Sequence, residues 1–281
     1  MKIRFWGARG SFAMCGRDYL RYGGNTCSTE LVTEAGERLL VDLGTGATEL
    51  AKHLMAAEFG KGQGVLRILL THTHLDHIQG LPFFTPFFIK GNEIRIMGAN
   101  PNAELSLEST LQNQLDPHYS PLNGLENLAA GVTIESFVPG ATLSLPGYEV
   151  VTTAVPHGGM WTTALRITGT SDGKTVTILS DVEYPNVDDP LPEAIALAKD
   201  ADLLVHDSMH ADHDYELRRG WGHSPARAGV VVAERAGAKR LALFHHSPDA
   251  TDAMIDEVVA RISAQTAVPV FAAAEGAYLD V

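Results

Sequence analysis

The chain has 281 residues, of which 45% are hydrophobic and 20% charged, and a formal net charge of −13. Such a length buries a substantial core, as one large domain or two small ones, while the acidic balance opposes adhesion to a long polyanion, which needs Lys and Arg against its phosphates. Two cysteines, Cys15 and Cys27, exclude a disulfide framework and a Cys-only metal site, and no stretch reaches the roughly 20 apolar residues of a membrane span.

The start, Met1-Lys2-Ile3-Arg4-Phe5-Trp6-Gly7, lacks the apolar core and cleavage site of a secretory leader, so a cytoplasmic location is expected. Lys2 to Gly7 reads as a strand, followed by a loop through Gly10, Gly16 and Gly23-Gly24. Residues 26–33 and 38–43 read as further strands, the second ending in Asp42-Leu43-Gly44-Thr45-Gly46. A helix is predicted over 47–59, with Leu50, Leu54 and Met55 on its apolar side. The apolar run Val65-Leu66-Arg67-Ile68-Leu69-Leu70 reads as a buried strand. An aromatic cluster at 83–88 and a strand at 93–97 follow. Residues 106–125 begin as a helix and end as a polar loop; the 112–119 stretch within it is a candidate lid or contact of a homodimer. Strands are predicted at 133–137, 142–145, 149–154, 163–168 and 175–179, then at 203–205 and 240–244, with a short one at 268–272 and another near Tyr278. Helices are predicted at 192–199, 225–236 and 252–264. With no linker, repeat or low-complexity tract, a single domain over 1–281 is expected. Strand-rich halves, each followed by helices, predict two packed sheets with helices outside and the chemistry at the strand ends.

The segment Thr71-His72-Thr73-His74-Leu75-Asp76-His77 sets three imidazoles and a carboxylate directly after a buried strand. A turn leaving a strand aims such groups at one point, and imidazole with carboxylate suits zinc, or less selectively iron or manganese. Further candidates stand where other strands end: His157 in Val155-Pro156-His157-Gly158-Gly159, Asp181 in Leu179-Ser180-Asp181, and His245 in Leu-Phe-His-His-Ser. His246 is the alternative to His245, which follows its strand immediately. Asp42 also ends a strand, where it is better placed to orient a ligand than to bind metal.

In this order and at these strand ends, the residues resemble the metallo-beta-lactamase superfamily over essentially the whole chain. The resemblance implies an α/β fold, a four-layer αβ/βα sandwich of two mixed β-sheets flanked by helices, with two metal ions in the cleft. By it His72, His74 and His157 hold one ion, Asp76, His77 and His245 hold the other, Asp181 bridges them, and Asp42 supports the site from behind. The branch it is most similar to is that of the phosphodiesterases: ribonuclease Z, cyclic nucleotide phosphodiesterases and the phosphoribosyl cyclic phosphodiesterase. Leu204-Val205-His206-Asp207-Ser208 is similar to the branch's His-Glu-Ala-Thr motif with Asp for Glu, and Gly222-His223-Ser224 to its His-Ser-Thr motif. These matches make Asp76, His206, Asp207 and His223 the catalytic candidates, with His223 beside the scissile phosphate and Asp207 orienting it. The shorter Asp puts that orienting reach in question, and His206 is equally a hydrogen-bonded core histidine at a strand end.

Two cations sharing a water lower its pKa toward neutrality and offset charge on the phosphoryl oxygens, so no Ser or Cys nucleophile is required. His223 is the candidate for the leaving alkoxide, since imidazole as a group can carry a proton near neutral pH. The expected activity is a binuclear metal-dependent hydrolase of a small anionic phosphodiester, such as a cyclic nucleotide. The alternative is a lactone or other carboxyl-ester hydrolase on the same ions; a binding module without catalysis is disfavoured by the full ligand set. Ribonuclease Z members carry a tRNA-gripping arm, for which the short span between His157 and Asp181 leaves no room, so tRNA 3′-processing and a stable nucleic-acid complex are disfavoured. Arg9 is equally a candidate contact to an anion and a structural loop residue, and Asn25 is a weaker candidate to reach the site. His53, His118, His210 and His213 read as solvated or capping groups. At least half of the 83–88 cluster is expected in the core, the rest as a wall for a base or acyl group.

Overall fold

Apolar strands here are two-sided. In the computed structural model, which describes every residue except Pro121, Asp214 and Ala277, Leu39 and Leu40 are both fully buried but in different cores. Leu203 and Val205 face one core while Leu204 faces another. Successive strand side chains point to opposite faces, so a near-continuous apolar run belongs to a sheet covered on both sides.

The first sheet combines β1 (Lys2–Gly7), β2 (Ser28–Val32), β3 (Arg38–Val41), β4 (Val65–Leu70), β5 (Glu93–Ala99) and β6 (Gly131–Phe137). The second combines β7 (Thr142–Leu145), β8 (Tyr148–His157), β9 (Met160–Gly169), β10 (Thr175–Leu179), β11 (Leu203–Asp207), β12 (Leu241–Phe244) and β13 (Val270–Ala272), and β14 (Leu279–Asp280) returns to the edge of the first. Strand order is β14-β1-β2-β3-β4-β5-β6 in one sheet and β13-β12-β11-β10-β9-β8-β7 in the other. Both are mixed: β1 to β3 pair antiparallel and β3 to β6 parallel. Likewise β7 to β10 pair antiparallel and β10 to β13 parallel.

Phe5, Leu31, Leu165, Ile167, Val205 and Phe244 fill the layer between the sheets. Outside the first sheet lie α1 (Gly46–Met55) and α3 (Leu107–Gln114), with the one-turn α2 (Leu75–Ile78) at the strand ends. Outside the second lie α4 (Pro192–Ala198), α5 (Tyr215–Arg218), α6 (Ala226–Ala236) and α7 (Asp252–Ser263). This is the expected four-layer αβ/βα sandwich. No helix among the described residues is long and apolar enough to cross a membrane.

Many boundaries shift by a few residues from the sequence reading, and two of the shifts have a visible cause. The first helix stops at Met55, because residues 58–61 form a separate 3₁₀ turn that inserts Phe59 into the core. Gly64 permits it: a Cβ there would lie 2.2 Å from the Phe59 ring. Strand β8 runs on through Pro156 to His157, paired with Trp161 and Met160 of β9, so Pro156 does not end it. Of the aromatic cluster, Phe84 and Phe87 are fully buried with ring centroids 5.1 Å apart, whereas Phe83 is exposed.

Candidate metal centre

The site is assembled from strand ends. The turn after β4 delivers His72, His74, Asp76 and His77; β8 ends on His157; β11 ends on Asp207. Asp42, Asp181 and His245 follow β3, β10 and β12 with φ of 64°, 53° and 58°. Together with Ser11 (φ 62°) they are four of the five non-glycine residues with positive φ among those described, so left-handed backbone is concentrated here. Such strain persists where surrounding structure fixes it, typically at functional sites.

Asp181 sits between two groups. Its Oδ2 lies 3.7 Å from His72 Nε2 and 3.8 Å from His157 Nε2. Its Oδ1 lies 3.2 Å from both His77 Nε2 and His245 Nε2. Asp76 Oδ2 completes the second group, 3.5 Å from His77 Nε2 and 3.2 Å from His245 Nε2, while accepting the Ser11 N–H at 2.7 Å. His74 Nδ1 faces His157 Nε2 at 3.1 Å. In each group the donor atoms lie within 4.8 Å of one another.

Neighbouring bonds fix the tautomers. His77 Nδ1–H donates to Asp42 Oδ2 at 2.8 Å, and His157 Nδ1–H to the Gly222 carbonyl at 2.5 Å. The Thr71 hydroxyl donates to the Asp42 carboxylate and so accepts from His72 Nδ1–H at 3.2 Å. Each arrangement turns Nε2 toward the cluster, and the buried Nε2 atoms of His72 and His77 have no hydrogen-bond partner. Buried polar atoms are rarely left unmade. His74 Nδ1 meets the lone pair of His157 Nε2 at 3.1 Å, close enough to donate a proton to it or to share a cation with it. The residues therefore fit divalent cations: imidazole nitrogens and carboxylate oxygens with Nδ1 backed by acceptors, as in metal sites.

Electrostatics divide the cluster. Burial, with neighbouring imidazoles, lowers the pKa of His72, His74 and His157. Burial would lower His77 and His245 too, but Asp181 and other acidic neighbours raise both well above the usual imidazole value. Burial likewise opposes ionisation of Asp181, yet His245, His77 and His72 hold it well below the ordinary carboxylate range.

His223 stands at the edge of this cluster. Its Nδ1 lies 2.8 Å from Asp207 Oδ2, and its ring centroid lies 4.9 Å from His157 and 4.8 Å from His245. Asp for Glu still reaches, because Asp207 is wholly buried beneath the ring and its Oδ1 accepts the Met209 N–H at 2.9 Å. His206 is not brought into the cluster. Adjacent to Asp207 on β11, it points to the other face, where its nitrogens engage Tyr184 Oη at 2.9 Å and the Asp207 carbonyl at 2.7 Å. His246 is turned away as well, its Nε2 on the Ala273 carbonyl at 2.9 Å, and burial lowers it to about 4.

Arg9 is fully buried and donates to the carbonyls of Gly23, Ser247 and Ala250, so it holds loops together rather than meeting an anion. Asn25 pairs with Glu275. His210, expected in solvent, is buried with its ring 5.7 Å from that of His223.

Sequence reasoning missed Glu183, whose carboxylate accepts the N–H groups of Gly220 and Gly222 at 2.5 and 2.7 Å. It thereby sets the loop whose carbonyl holds His157. Gly222 has φ 93°, and a Cβ there would lie 2.3 Å from His157 Nδ1. The Gly before His223 was the only trace of this contact in the sequence. The Ser11 N–H left none, since every residue but proline has one.

Comparison with known proteins adds the following. A family model described as "Beta-lactamase superfamily domain" matches residues 37–246. The ribonuclease Z of Halorubrum lacusprofundi is 29% identical, with 82% of this chain and 85% of that protein covered. Among solved structures, the metallo-beta-lactamase fold protein YhfI from Bacillus subtilis superposes with a TM-score of 0.74 at 20% identity, covering 99% of this chain and 98% of that one. A diphosphatase of the PhnP family gives 0.69 at 19% identity, covering 100% and 97%.

Proposed function

Since the chain belongs to the beta-lactamase superfamily and is a metal-dependent hydrolase of that fold, we propose that the bond it cleaves is a phosphodiester, at a site holding two divalent ions. The observation that carries this reading is the divided carboxylate of Asp181, one oxygen toward each imidazole group, with the His223–Asp207 pair at its edge. His72, His74, His157 and Asp181 would hold one ion, and Asp76, His77, His245 and Asp181 the other. Zinc suits this imidazole-rich set first, with manganese or iron as substitutes. Bound there, divalent cations supply Lewis acidity and an activated water.

The chain's own residues do the rest. Asp42, Thr71 and the Gly222 carbonyl hold the ligand imidazoles in the tautomer that presents Nε2. Asp207 fixes His223 through Nδ1, which leaves Nε2 to carry a proton to the departing alkoxide. Held by a buried carboxylate, the His223 ring cannot swing away from the reacting group.

Two observations bear on substrate size. Residues 157–181 form only the end of β8, β9 and β10, with no room for an arm, which favours a small diester such as a cyclic nucleotide. The near full-length likeness to ribonuclease Z removes net charge alone as a ground for excluding nucleic acid, so an RNA 3′ end is the second reading. Metal-loaded protein should be assayed with bis-p-nitrophenyl phosphate, cyclic nucleotides, a 3′-extended tRNA and an acyl lactone. Turnover of the cyclic nucleotide supports the first reading and of the tRNA the second. Lactone turnover with no diester cleaved would overturn both.

A further inference from the structure

Of the three tryptophans, Trp6 is buried, but Trp161 and Trp221 are 65% and 66% exposed. Exposed indoles in the wall of a cleft mark contact surface, because their faces stack on planar rings. Trp161 lines a cleft of about 620 Å³ together with the candidate ligand His72 and with Thr73, Asn100, Asn102 and Met160. Among the described residues, no Lys, Arg, Asp or Glu lines it. Asn100 and Asn102 spend their side-chain oxygens on the N–H groups of Leu107 and of Glu104 and Leu105. Their amide N–H₂ groups are donors outside those contacts.

This cleft meets the cluster at His72, and His223 is not among its lining residues. His72 and His157 have ring centroids 5.3 Å apart, His157 and His223 are 4.9 Å apart, and beyond His223 come His210 and then Trp221. The group that protonates the leaving oxygen must face it, so the leaving arm of a diester lies on the His223 side. The arm that stays on phosphorus then points the other way, past His72.

We propose that the Trp161 cleft is the subsite for the retained arm of the diester and takes a nucleobase stacked on the indole. This rests on the diester reading above. A neutral lining suits an uncharged base rather than a second phosphate. The volume suits a nucleoside, and amide donors on the wall suit the carbonyl and ring-nitrogen acceptors of a base.

The test compares two substrates with the same leaving group: thymidine 5′-(p-nitrophenyl phosphate) and methyl p-nitrophenyl phosphate. Zinc-loaded wild-type protein should show a KM about tenfold lower for the nucleoside ester, the scale of one stacked base. Trp161→Ala should close that gap, Trp161→Phe should keep most of it, and Trp221→Ala should leave it open. In parallel, calorimetry should find AMP binding about tenfold more tightly than ribose 5-phosphate, a preference lost in Trp161→Ala. Equal binding of the two by wild-type protein, or a gap that survives Trp161→Ala or closes in Trp221→Ala, overturns the subsite. If neither ester is cleaved, the diester reading fails by itself, and an AMP preference that vanishes in Trp161→Ala still upholds a base subsite.

Discussion

The two halves of the ligand cluster solve the same problem with different materials. The half around His72, His74 and His157 contains one carboxylate, that of Asp181, and its His74 is exposed. The half around His77 and His245 has both Asp76 and Asp181 and is buried throughout. In the first, burial and mutual repulsion keep the imidazoles neutral and ready to coordinate. In the second, the carboxylates hold the imidazoles protonated until something displaces the protons. A cation in the first half would thus meet one negative charge and open solvent, and in the second two negative charges and none. The asymmetry predicts one exchangeable and one retained ion.

The harshest way to break this comparison is to remove the residue both halves share. Asp181→Ala should empty both sites and take turnover to background, read by elemental analysis and a diesterase assay side by side. If one ion per chain stays, the halves do not depend on Asp181 equally, and its bridging role is wrong. His223 belongs to neither half, so His223→Ala should cost about 10²–10⁴ in turnover, the usual worth of a positioned acid, with metal content unchanged. Loss of metal instead would make His223 a ligand.

A finer contrast lies in the pH dependence. His77 and His245 have raised values, so they remain protonated above the usual imidazole range and a cation must displace those protons. Affinity of the second half should therefore fall as pH drops through the raised values. The first half, with lowered values, should hold until the pH is below the usual histidine range. Zinc titrations at pH 7 in buffers of different ionisation heat should show about two protons released in one binding step and about none in the other. Equal release in both steps would erase the distinction.

What could be read in advance follows the same division. Asp42, Asp181 and His245 were legible because each stands just beyond a strand of clear apolar pattern, and His72 to His77 because the spacing is local. Whether His206 enters the site beside Asp207 was not, since both lie on β11 and only one face of a strand can look into the site. Deciding it required knowing which face the helices cover. Glu183 and the Ser11 N–H escaped because their contacts join segments distant in sequence through backbone groups that carry no residue signature. Arg9 stayed open between an anion contact and a loop role for the opposite reason: its charge is conspicuous in the sequence, but the carbonyl oxygens of three distant residues that engage it are not.

The smallest effect expected comes from the one hydroxyl that touches both halves. Thr71 Oγ1 lies 2.9 Å from Asp42 Oδ2, which backs His77, and 3.2 Å from His72 Nδ1. A hydroxyl has one proton, and the carboxylate takes it, so the oxygen is left to accept from His72. Thr71→Val keeps the shape and removes only that oxygen. Asp42 retains the Thr71 backbone N–H at 2.8 Å and the His77 imidazole, so the second half should be undisturbed. His72 loses its only Nδ1 partner among the described residues, freeing the ring to rotate or change tautomer. The first half should then bind its cation about tenfold more weakly, the low end for loss of a group that orients a metal ligand. Competition with a chelator, followed ion by ion, reads this directly. Weakening of both ions together would mean that Thr71 couples the halves through Asp42, and the cluster would have to be treated as one unit.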